Sequence, residues 1–135
     1  MKKYFVIGNP IEHSLSPLLH NHWIKIKNLQ ANYNKEKLEK DKLKEVISNI
    51  KNKYISGVNV TVPFKKEVIQ YLDKLSPEAD KTQSVNTIYL EDNIIIGANT
   101  DLAAAEIELT NFENREFVFK LIFTDICFLN IKINK

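Results

Sequence analysis

The stretch Gly57–Lys65, GVNVTVPFK, constrains the fold more than any other part of the chain. Val58, Val60 and Val62 alternate with Asn59 and Thr61, and β-branched residues at period two suit a half-buried strand. Pro63 ends the run, because proline has no N–H for a ladder and fixes its own φ. Lys65 follows at the opening of a helical pattern, Phe64–Leu72. The stretch predicts a strand with Asn59 and Thr61 on one face and a lysine just past its carboxyl end. Ligands in open α/β sheets sit at that end of the strands. Taken alone, the same residues also describe a strand with a polar outer face and a surface lysine.

The surrounding chain alternates strand and helix signals. Tyr4–Gly8 predicts a buried first strand, and Asn9-Pro10 opens a loop. Ser16-Pro17 predicts a helix N-cap with proline at the first helical position. That helix runs to Asn28 with Leu18, Leu19, Trp23, Ile26 and Leu29 inward. Ala31–Lys37 predicts an edge strand, its Lys35 and Lys37 discouraging further pairing. Asp41 caps a second helix with Leu43, Val46, Ile47 and Ile50 on its inner face. Ser76-Pro77 starts a short third helix by the same logic. Ser84–Leu90 and Ile94–Gly97 flank the polar turn Glu91-Asp92-Asn93 and predict a β-hairpin. Asn99 or Thr100 caps a last helix through Ala103–Leu109.

This order predicts an α/β domain with a mixed, mainly parallel sheet and helices on both faces. Residues 1–110 form that domain, and 111–135 form a divergent tail. Within the tail, Phe117–Ile133 is rich in Phe, Ile and Leu but follows neither period. Lys120 and Asp125 interrupt it, so it does not read as a membrane span. A chain of 135 residues has room for one ordinary domain. Its net charge is only +2, and Arg115 is the sole arginine, which argues against a nucleic-acid partner. The single cysteine, Cys127, excludes an internal disulfide. No apolar run has the length of a signal core or a span, so the expectation is a cytoplasmic protein without a membrane partner. His20 and His22 lie two apart and share no helix face, and no metal site is expected.

Several polar residues fall where chemistry is done. Ser14 and Ser16 precede a helix N-terminus, where hydroxyls beside the positive end of the dipole suit a carboxylate. They also read as a plain cap and an exposed loop serine. Lys65 and Asp101 can move a hydroxyl proton if burial and charge tune the lysine. They also read as an ordinary salt bridge. Asn86 offers an amide that donates and accepts at once. It also reads as a turn residue bonding its own backbone.

GVNVTVPFK is joined in order by GNPIEHSLSP at Gly8–Pro17, SVNT at Ser84–Thr87 and GANTD at Gly97–Asp101. Together these four stretches resemble the substrate-domain motifs of the shikimate dehydrogenase family. Full members of that family reduce 3-dehydroshikimate to shikimate with NADPH, in aromatic amino acid biosynthesis. The resemblance implies a small-molecule substrate, shikimate or 3-dehydroshikimate. It gives Lys65 and Asp101 the catalytic roles. It places Ser14 and Ser16 on the substrate carboxylate, and Asn59, Thr61, Asn86 and Thr100 around the ring hydroxyls or carboxylate.

The resemblance stops near residue 110. It implies NADP as cofactor, yet the last glycine of the chain is Gly97, so no Gly-rich phosphate loop follows it. The expectation is a truncated substrate-binding domain of a shikimate dehydrogenase, inactive in isolation. A homodimer or a separate nucleotide-binding chain stands open as partner. The alternative is a non-catalytic module that binds shikimate or quinate.

Overall fold

The computed structural model describes residues 1–102. Six strands form one sheet: β1 (Lys2–Gly8), β2 (Ala31–Lys37), β3 (Gly57–Val60), β4 (Lys74–Leu75), β5 (Thr87–Glu91) and β6 (Ile94–Ala98). Their order across the sheet is β2-β1-β3-β5-β6-β4. β1 lies parallel to β2 and β3, and β4 parallel to β6, whereas β5 is antiparallel to both β3 and β6. One strand therefore runs against the other five. The mixed, mainly parallel α/β fold expected from the sequence is what forms, with β2 at the edge and β5–β6 as the hairpin.

Helices cover both faces. α1 (Ser16–Ile26) packs on one face, where Tyr4, Val6, Ile11, Ile24 and Tyr33 form a small core. α2 (Leu43–Lys51) and α3 (Pro77–Thr82) belong to the larger core on the other face. Alternation within β1 decides the division: Tyr4 and Val6 face α1, whereas Ile7 joins α2. In the same way Val58 and Val60 enter the large core, so Asn59 between them turns to the α1 side. Leu43, Val46, Ile47 and Ile50 bury the inner face of α2 as their spacing predicts.

Several local expectations need correction. Ser16 lies inside α1, whose N-cap is Leu15 without a side-chain bond. Asp41 does not cap α2. It sits in a 3₁₀ turn, Lys40–Lys42, which feeds the helix directly. Ser76 does cap α3, its Oγ accepting from Ala79 N. The helix expected over Phe64–Leu72 is a 3₁₀ segment, Glu67–Tyr71, entered through a run of turns. It is followed by the two-residue strand β4, too short to leave a period. The inward face of α1 is also different: Leu18 and Ile26 are exposed, while His20 and Ile24 are buried. The reason is that a polar ring fills the inward position, stacked on Tyr33 with centroids 4.1 Å apart.

The chain turns helical at Thr100, and Asn99 is the cap, its Oδ1 accepting from Leu102 N at 3.1 Å. The continuation of that helix through Ala103–Leu109, the boundary at residue 110 and the tail reading lie outside the described residues.

Candidate functional site

The reversed strand brings the polar residues together. β1, β3 and β6 all end at one rim of the sheet, and β5 begins there, with Thr87 opposite both Asn59 and Ala98. The loop carrying Ser14 and Ser16 leaves β1 at this rim, Lys65 follows β3, and Thr100 and Asp101 follow β6. All eight residues singled out from the sequence thus lie on or beside a single rim.

The first loop is anchored by its neighbours. Asn9 N donates to Val62 O at 3.0 Å, and Asn9 Nδ2 donates to Leu38 O and to Glu39 Oε1. Glu12 ties the same loop to β2: its Oε1 lies 3.1 Å from Lys37 Nζ, and its backbone carbonyl accepts from Lys35 Nζ. Backbone N–H groups of Glu12 and Ile11, with Lys37, hold the Glu12 carboxyl down at about 2. Ser14 Oγ receives only a long bond from Ser16 N, 3.4 Å. Among the described residues the hydroxyl of Ser16 has no protein partner.

The second loop follows β3. Thr61 lies one residue past the strand, its N–H donating to Ile7 O at 3.0 Å. Its methyl covers Gly8 so closely that a Cβ there would come within 2.5 Å of Thr61 Cγ2. Phe64 is buried, and the Lys65 carbonyl accepts from Val85 N at 2.8 Å. The Lys65 backbone is thereby fixed beside Asn86. Lys65 Nζ reaches Asp101 Oδ2 at 2.7 Å, with about a third of the lysine side chain and over half of the aspartate exposed.

Asn86 is the centre of the buried polar network. Its Oδ1 accepts from Thr87 Oγ1 at 2.9 Å and from Thr100 N at 3.1 Å, and its Nδ2 donates to Thr100 Oγ1 at 2.8 Å. Among the described residues the second hydrogen on Nδ2 has no acceptor. Asn59 is spent differently. Its Nδ2 donates to Asn86 O and Thr87 Oγ1, and its Oδ1 accepts from Tyr33 Oη at 2.7 Å. Asn99 fastens the last turn, donating to Thr82 Oγ1 and Ser84 O. So the amide of Asn86 faces two ways, while both donors of Asn59 are consumed inside the protein.

Two residues escaped sequence reasoning. Tyr33 is buried in β2 and reaches the network from the far side of β1. Its only signal was an aromatic ring in an otherwise polar edge strand. Asn21 brackets Tyr33, accepting from its N–H and donating to its carbonyl. Under Tyr33, His20 is held neutral, its pKa lowered by burial to about 4.

The described residues do not fit a dinucleotide. The chain's three glycines lie in β1, β3 and β6, and none has positive φ. None of them therefore forms the kind of turn that lets backbone N–H groups cradle a pyrophosphate. Among the described residues, no cluster of three His, Cys, Asp or Glu side chains could hold a metal, and no helix is long and apolar enough to cross a membrane.

Known proteins share this fold and sequence. The family model of the shikimate dehydrogenase substrate binding domain matches residues 6–88. The shikimate dehydrogenase (NADP(+)) of Pelagibacter ubique is 54% identical over 114 residues, covering 84% of this chain and 43% of the relative. The crystal structure of the Listeria monocytogenes enzyme in complex with shikimate and NAD is 32% identical, with TM-score 0.76, covering 83% of this chain and 39% of that one. That of the Thermus thermophilus enzyme with NADP(H) and shikimate is 30% identical, with TM-score 0.74, covering 82% and 42%. The chain spans less than half the length of these relatives. Through its substrate-binding domain, the chain belongs to the shikimate dehydrogenase family.

Proposed function

We propose that this chain binds shikimate and 3-dehydroshikimate at the rim and handles the hydroxyl proton of their interconversion. The observation that carries the reading is the Lys65–Asp101 pair at 2.7 Å, set beside the Asn86–Thr100 pair. Ser14 and Ser16 take the substrate carboxylate, at the amino end of α1 where partial positive charge gathers. Asn86 offers its spare N–H to a ring hydroxyl, and Thr61 and Thr100 line the same space. Lys65 exchanges the proton of the reacting hydroxyl, and Asp101 orients the lysine amine for that exchange. Asn59 has no N–H left to give and supports the others.

Relatives of the chain are named as NADP(+) enzymes and two were crystallised with a nicotinamide cofactor and shikimate. We infer the same cofactor for the complete reaction, its phosphate cradle supplied from outside residues 1–102. A second protein region, whether in this polypeptide, in another copy or in a separate chain, completes the enzyme.

Calorimetric titration of the chain with shikimate tests the reading. Saturable binding that is lost in Asp101→Ala and weakened in Ser16→Ala supports it. No heat and no chemical-shift change at Lys65 under saturating shikimate would sink it. Binding without turnover, even with a nucleotide-binding domain added, would leave the chain as a binding module.

A further inference from the structure

We propose that Tyr33 is a positioning residue for this site: through Asn59 and Thr87 it holds the Asn86 amide in place, in the sense that the backbone groups of the network impose. The proposal rests on the shikimate-binding reading and adds to it a residue outside the four motifs.

Backbone groups at both ends fix the direction of the network. The Asn86 carbonyl can only accept, so the Asn59 atom 3.3 Å away is Nδ2. Asn59 Oδ1 therefore faces Tyr33, and the phenol donates to it at 2.7 Å. The second hydrogen on Asn59 Nδ2 goes to Thr87 Oγ1 at 3.2 Å. With a lone pair so engaged, the Thr87 hydroxyl spends its one hydrogen on Asn86 Oδ1, 2.9 Å away. At the other end the Thr100 N–H can only donate, and it too points at Asn86 Oδ1. Asn86 Oδ1 is thus doubly occupied, and Nδ2 is left as the group presented to a ligand. The amide is locked as a donor.

Tyr33 is built to hold that anchor. Its side chain is 1% exposed and stacked on His20 with the rings 7° from parallel. Its backbone N–H and carbonyl are both taken by the Asn21 amide, at 3.0 and 2.6 Å. The ring has little freedom, so the hydroxyl arrives at Asn59 from a fixed direction. Without it, Asn59 loses the partner of its Oδ1 and can rotate, and the Thr87 hydroxyl is released to turn away from Asn86. A buried network of this kind acts as a unit.

The test uses the isotopically labelled chain and two ligands, shikimate and cyclohex-1-enecarboxylate, which has the carboxylate but no ring hydroxyl. Tyr33→Phe keeps the ring on His20 and removes only the hydroxyl. It is expected to move the Asn86 side-chain amide signals and to weaken shikimate roughly tenfold, the scale of one hydrogen bond. Binding of the hydroxyl-free acid is expected to stay at the wild-type level, which a general loss of structure would not allow. If Tyr33→Phe fails to fold, Thr87→Val breaks the next link, and Thr87→Ser is expected to restore both readouts. A folded variant with unmoved Asn86 signals and wild-type shikimate affinity overturns the proposal, as does an equal loss for both acids. A wild-type chain that ignores shikimate removes the functional reading instead, and the Asn86 signals alone then decide the relay.

Discussion

Lys65 Nζ lies 2.7 Å from Asp101 Oδ2, although 36 positions separate the two residues in sequence. Each is delivered by its own strand end and neither is deeply buried. A partly exposed pair of this kind contributes about 0–1 kcal/mol to stability. Its place in the fold therefore follows from the backbone and not from the attraction. Lys65→Met should leave the unfolding transition within about 1 kcal/mol of the wild type. With a nucleotide-binding domain supplied, it should cut turnover at least ~100-fold. The isolated 135-residue polypeptide should show negligible loss of NADPH absorbance with 3-dehydroshikimate, since residues 1–102 offer no glycine turn for a phosphate and no glycine follows Gly97 in the sequence.

Gly8→Ala should damage both stability and binding. The new methyl would meet Thr61 Cγ2 at 2.5 Å and Val62 O at 3.1 Å. Overpacking of this size costs about 1–3 kcal/mol. The strain falls on the loop that carries Thr61, so shikimate affinity should fall with it. Urea unfolding and titration calorimetry on one preparation check both; unchanged affinity would show that Thr61 stands clear of the ligand.

Asn99→Ala removes the cap of the helix that starts beside Asp101 and leaves Leu102 N without its acceptor. It also strips donors from Thr82 Oγ1 and Ser84 O. A loss of about 1–2 kcal/mol is expected from the cap alone. Because Asp101 rides on this turn, shikimate binding should weaken more than in Asn99→Asp, which keeps the capping oxygen.

Acid should loosen the fold through His20. Its folded pKa is about 4, below the ordinary 6.5, because burial disfavours the imidazolium. Between those values the unfolded chain binds a proton that the folded chain does not. Stability is thus full above pH 6.5 and falls as pH drops toward 4, by roughly 3 kcal/mol from this group. Glu12, held at about 2 by its hydrogen bonds, adds a further loss below its ordinary 4.5. Urea midpoints between pH 7 and 4 should show the first loss, and His20→Phe should flatten it.

The sequence made the rim legible because its parts are local. A strand, a proline and a lysine lie within GVNVTVPFK, and the hairpin and the Ser76 cap each fit in a few residues. It could not show which strand runs backwards, and that reversal is what sets Asn86 beside Asn59. The α1 face was misjudged for a related reason. His20 is polar, so an apolar count passes over it, yet stacking on Tyr33 makes it the buried position. Ser16 and Asp41 look like caps by type. In each case the residue just before the helix, Leu15 or Lys42, already has helical dihedrals, and the hydroxyl or carboxylate is left free of that duty. Tyr33 was invisible because its partner lies two strands away.

The turn between β5 and β6 lies at the opposite rim, since β5 starts beside the site and runs away from it. Asp92 and Asn93 both have positive φ there and are exposed, as a tight mirror-image hairpin turn requires. The domain thus has a handle remote from its working end. A fluorophore, an affinity tag or a surface tether grafted at that turn would be held rigidly by the hairpin and would leave the rim that carries Lys65 and Asp101 open.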